Sequence, residues 1–143
     1  MSSVPPATVK QVEESAAAGK VAEIFADIKR TKNIDFVPAF WRTLATYPLQ
    51  LENVWNTLKR LMHPEAEGRQ GALDPQTREI IALVVSATNG CAYCVNSHTA
   101  ALRKLGLSTE ALGEALAIAG LFNMTNALAE GYQIEPDVRP PVE

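Results

Sequence analysis

No long apolar run, no surplus of positive charge and no leader-like start occur in this 143-residue sequence. The longest unbroken apolar stretch, Ile80 to Val85, is six residues, whereas a membrane-spanning helix needs about 20. Thirteen Lys and Arg face sixteen Asp and Glu, a formal net charge of −3. No broad basic face therefore advertises nucleic acid or an anionic membrane. The start, Met1-Ser2-Ser3-Val4-Pro5-Pro6, has neither the basic residues nor the apolar core of a signal peptide. The expected location is the cytoplasm, where stray thiols stay reduced. Strand signals are scarce, and neither an internal repeat nor a low-complexity block occurs.

What is present is helical periodicity. Hydrophobic residues make up 47% and charged residues 20% of the chain, the balance of a globular protein. The length fits one domain over 1–143, with a core at about 19–131 and an extended, proline-containing tail at 132–143. Val21, Ile24, Phe25 and Ile28 fall on one face of a helix that ends near Lys32-Asn33. Phe36 to Tyr47 is a shorter apolar piece, broken by Pro38 and closed before Pro48. Its Phe40 and Trp41, like Trp55 further on, suit core or subunit contact better than a cofactor platform. Leu51, Val54, Trp55, Leu58, Leu61 and Met62 continue the stripe until Pro64, and residues 65–72 read as a loop. Asp74-Pro75 is a strong helix start, and Asn89-Gly90 a strong stop. Between them Ile80 to Val85 is apolar almost all round, which predicts burial. The next helix runs from Cys91 or Ala92 to Leu105, closed by Gly106. Ser108 caps a last helix to Gly131, which Gly113 and Gly120 weaken enough to allow two helices. The predicted fold is all-α.

The only two cysteines stand three positions apart, and in a reducing compartment that spacing suggests redox or metal chemistry. At 100° per residue Cys91, Cys94 and His98 project from one narrow strip of a helix. The sulfurs are close enough to bridge, and the His98 imidazole can reach Cys94 at i+4. Both cysteines fall in the first helical turn, where free amides and the positive end of the macrodipole stabilise a thiolate. Amide proximity favours Cys91 as the more acidic thiol, and contact with His98 favours Cys94. Glu79 lies ten residues before Asn89 and His98 eight after Gly90, roughly 15 Å and 12 Å from the turn of an antiparallel helix pair. A glutamate on a nearly wholly apolar helix needs a partner, and His98 stands at its level. A carboxylate orienting an imidazole beside a thiol is a general-base arrangement. Zinc is the competing reading, since Cys91, Cys94, His98 and Glu79 are all suitable ligand types. Structural zinc sites use two separated ligand pairs, however, and no second Cys/His knuckle exists. No metal or cofactor is therefore expected.

The pattern Glu-x11-Cys-x-x-Cys-x3-His, met by Glu79, Cys91, Cys94 and His98, resembles the AhpD-like alkylhydroperoxidase group of the carboxymuconolactone decarboxylase family. Gly19 to Phe25 is similar to members of the same group, so the resemblance spans roughly residues 19 to 130. It implies an all-helical subunit around a central antiparallel helix pair, assembled as a homotrimer or hexamer. It also implies a peroxidase that reduces organic hydroperoxides. Cys94 would attack the peroxide, Cys91 would close the disulfide, and Glu79 and His98 would relay protons. A dithiol reductant, such as a lipoyl-bearing protein, would restore the pair. The alternatives are a decarboxylase-type lyase of the same family, and a zinc-stabilised module without enzyme activity.

Overall fold

Helices follow the apolar periodicity along the chain. A computed structural model describes residues 8–143, so the Met1-to-Pro6 start lies outside the described residues. Among these residues the secondary structure is helix and turn without strand, and the fold is all-α. No helix among them is long and apolar enough to cross a membrane. The chain falls into two compact units, one up to Ala72 and one from Leu73 to Glu143.

The first unit holds helices α1 (Gly19–Lys32), α2 (Ala39–Leu44) and α3 (Pro48–Met62). α1 ends at Asn33, whose left-handed φ of 52° lets its N–H return to the carbonyls of Arg30 and Lys29. α3 begins three residues before its apolar stripe, because Pro48 lacks the N–H that a first helical residue leaves unused. It stops at His63, and a 3-10 turn over Pro64–Glu67 takes up part of the expected loop. Ile24, Phe25 and Ile28 of α1 pack with Val37, Trp41, Ala45, Leu51 and Trp55 into one buried cluster. Trp41 and Trp55 meet edge to face with ring centroids 5.2 Å apart.

One polar device is built into this core. Asp27 of α1 accepts the Trp55 indole N–H at 2.8 Å and the Lys59 ammonium at 2.9 Å, and also meets Arg30. Burial raises the Asp27 carboxyl pKa, but hydrogen bonds from Trp55 and Lys59 outweigh it and hold the group below its usual range.

The second unit holds α4 (Pro75–Asn89), α5 (Ala92–Lys104) and α6 (Thr109–Gly131), with α4 packed on both of the others. α6 is one helix across Gly113 and Gly120. A Cβ at either glycine would meet open space, so neither marks a close approach, and each costs only about 1 kcal/mol of helix propensity. Burial of α4 is less complete than its composition predicts. Leu83 is fully buried, but Ile81 and Val85 are 47% and 52% exposed. α5 and α6 cover part of the helix circumference, and the remaining apolar side faces outward. α6 contributes no buried residue at all.

Candidate active site

Two caps fix the limits of α4 and thereby the position of every residue of the site. At its start the Asp74 carboxylate accepts the Thr77 N–H at 3.0 Å and the Thr77 hydroxyl at 2.6 Å. At its end Gly90 takes the left-handed conformation, φ 73°, which a residue with Cβ adopts only under strain. Gly90 N–H then returns to the Ala87 carbonyl and Cys91 N–H to the Ser86 carbonyl, reversing the chain into α5.

That reversal places Cys91 differently from the expectation of two cysteines inside the first turn. Cys91 is the N-cap of α5, with φ −91° and ψ 90°, and the helix proper begins at Ala92. A backbone leaving left-handed Gly90 is still extended at Cys91, although the Cys91 carbonyl already accepts the Val95 N–H at 2.9 Å. The Cys91 sulfur takes the role an N-cap oxygen usually plays, accepting the Cys94 N–H at 3.2 Å. Cys91 and Cys94 form a disulfide across a Cα separation of 5.3 Å. Both are half-buried, and the bond lies at the amide end of α5.

Glu79 and His98 meet as the antiparallel levels of the two helices require. His98 Nδ1 lies 2.7 Å from Glu79 Oε2, with the side chains 24% and 13% exposed. An ionised Glu79 accepts from Nδ1–H, which in the neutral ring leaves the lone pair on Nε2. His98 stands one turn beyond Cys94 on α5. The structure thus groups the four residues into two bonded pairs, cysteine with cysteine and carboxylate with imidazole, on a single helix hairpin. Among the described residues no three or more His, Cys, Asp or Glu side chains are arranged to hold a metal.

The sequence reading passed over Ser86. It lies seven positions after Glu79 on the same face of α4 and is buried; its hydroxyl donates to the Ala82 carbonyl at 2.6 Å. Its own carbonyl anchors Cys91 N–H at 3.0 Å, so Ser86 helps place the first sulfur. The available signal was its heptad register with Glu79 at the end of an apolar run. Arg78, beside Glu79 in sequence, is the one charged side chain buried among the described residues. It had no sequence signal of its own.

The sequence model of the carboxymuconolactone decarboxylase family matches residues 56–134, which include both helices of this hairpin. The chain belongs to this family. Its fold is that of the alkylhydroperoxidase AhpD core from Rhodospirillum rubrum, whose crystal structure superposes with a TM-score of 0.84. The two are 42% identical, over 92% of this chain and 94% of that one. The chain is also similar to the alkyl hydroperoxide reductase AhpD of Streptomyces griseus, 30% identical over 81% of its length. A third relative is the (R)-2-haloacid dehalogenase of Pseudomonas putida, 31% identical over 78% of this chain. The chain spans 64% of the Streptomyces protein and 35% of the Pseudomonas one. The names of these relatives thus cover more than one chemistry.

Proposed function

We propose that this family member is a thiol-dependent peroxidase that reduces organic hydroperoxides through Cys91 and Cys94. The observation that carries the reading is the pairing of the Cys91–Cys94 disulfide with the Glu79–His98 hydrogen bond on one hairpin. The similarity to proteins named alkylhydroperoxidase supports the substrate class.

In the reduced enzyme His98 Nε2, oriented by Glu79 at Nδ1, takes the proton of Cys94, one helical turn away. The Cys94 thiolate attacks the terminal peroxide oxygen. An S–O bond forms, the O–O bond breaks, and the alcohol leaves with the proton from His98. Cys94 is then a sulfenic acid. Cys91 attacks it, the disulfide closes, and water departs. The cycle ends with two electrons from a dithiol, such as that of a lipoyl-bearing protein. The Cys94 N–H directed at the Cys91 sulfur favours Cys91 as the departing thiolate, so the incoming dithiol attacks Cys94. Such a cycle suits a reducing cytoplasm. The exposed apolar residues of α4 and α6 support assembly as a homotrimer or hexamer.

Thiol titration before and after one equivalent of cumene hydroperoxide tests the reading. Wild type is expected to lose two thiols and recover them with dihydrolipoamide. Cys94→Ser is expected to abolish turnover, and full turnover in that variant would sink the mechanism. An activity indifferent to both Cys91→Ser and Cys94→Ser would point instead to the lyase side of the family.

A further inference from the structure

The tail beyond α6 carries a pattern that the thiol chemistry does not use. From Tyr132 to Glu143 the even positions are Tyr132, Ile134, Pro136, Val138, Pro140 and Val142, all apolar. The odd positions are polar or charged, with Pro141 the exception. In an extended backbone alternate residues share a face, so from Ile134 onward, past the turn at Tyr132 and Gln133, this segment has one continuous apolar side. Its prolines remove backbone donors and fix φ, which favours a lone extended strap over a strand in a growing sheet. The tail leaves α6 through left-handed Gln133, φ 52°, and Ile134 N–H closes on the Ala129 carbonyl at 3.1 Å. Beyond that point the apolar side is uncovered: Ile134 is 66% exposed, Val138 81% and Val142 100%.

A surface of matching chemistry lies open in the same unit. α4 and α6 border a groove of about 320 Å³ with Val85 and Phe122 among its apolar walls. Asn89, Asn126 and the hydrogen-bonded pair Thr88–Asn123 also line it. Neutral amides beside apolar walls suit an extended peptide, because an amide can accept a backbone N–H while donating to a backbone carbonyl. A charged ligand would find no counter-ion among the lining residues. In one copy strap and groove are both uncovered, with Val85 52% and Phe122 55% exposed. Ten extended residues, 134–143, reach roughly 33 Å and α6 is roughly 35 Å long, so the strap can run nearly the length of a neighbouring helix.

We propose that residues 134–143 of one copy lie in the α4–α6 groove of a second copy, their apolar side against Val85 and Phe122. The inference goes beyond the peroxidase reading and does not depend on it. Each copy supplies a strap and receives one, an exchange that closes as a reciprocal pair or a ring.

A photoreactive benzoylphenylalanine at position 138 of the full chain tests this in an equal mixture of isotope-labelled and unlabelled copies. The expected product joins labelled to unlabelled chains, with adducts on residues 84–89 or 119–126. Phe122→Asp in the receiving copy is expected to lower that yield at least fivefold. Deleting residues 133–143 is expected to lower the light-scattering mass while leaving peroxide-dependent thiol loss unchanged. Adducts confined to single chains, adducts on other helices, or a yield indifferent to Phe122→Asp would each overturn the proposal. The thiol assay reads the peroxidase proposal separately, so the two can fail independently.

Discussion

The two units of the chain solve opposite problems. The unit up to Ala72 gathers eight buried apolar residues, Trp41 and Trp55 among them, and a paired polar network at Asp27. The unit from Leu73 onward buries only Leu83 and Leu102 among its apolar side chains, together with the polar Arg78 and Ser86. Yet this second unit carries the four candidate site residues. The difference teaches where each unit obtains its order. The first is held by its own packing. In the second, the caps at Asp74, Gly90 and Cys91 fix the hairpin, while α4 and α6 keep apolar side chains half-exposed.

Four substitutions would break or sharpen that contrast. The largest effect is expected from Trp55→Ala, which empties the centre of the first unit and should cost about 3–5 kcal/mol in denaturant unfolding. By contrast Leu128→Ala, on the exposed face of α6, should cost the single chain under about 0.5 kcal/mol. Equal losses from the two would abolish the distinction. Next, Glu79→Gln keeps the shape of the hairpin but removes the charge that orients His98. Peroxide turnover should fall by roughly 10²–10⁴-fold with the helical circular dichroism unchanged. Turnover within twofold of wild type would separate the Glu79–His98 pair from the chemistry.

The smallest effect within the first unit concerns Asp27. Its carboxyl titrates below its ordinary value in the folded chain, so its stabilisation is complete above that value and is lost as pH falls through the folded value. Asp27→Asn removes the ion pair with Lys59 and should cost about 1–2 kcal/mol at pH 7, a cost that vanishes as pH falls below the folded value. A gap between wild type and variant that persists unchanged in acid would show that packing, not charge, is at work there.

Much of this was legible in the sequence because it depends on local rules. Asp74-Pro75 announces a helix start, Gly90 a left-handed stop, and the 3.6-residue stripe of Ile24, Phe25 and Ile28 a buried face. The Glu79–His98 contact follows from counting outward from one turn. Other features depend on what a helix meets, which no period encodes. Ile81 and Val85 read as buried because they are apolar, yet they lie on the side of α4 that its neighbours leave open. The Asp27 network joins residues 28 and 32 positions apart, and nothing near Asp27 in the chain announces it. The single-residue difference at Cys91, cap rather than first turn, came from the backbone geometry that Gly90 imposes.

That cap makes the start of α5 a natural spectroscopic reporter. The Cys94 amide proton points at the sulfur of Cys91, so its magnetic resonance frequency and its exchange with solvent respond directly to the charge on that atom. A disulfide sulfur, a thiol and a thiolate would each leave a different signature on one peak. The oxidation state of the pair could then be followed in an intact chain, without any label on the cysteines themselves.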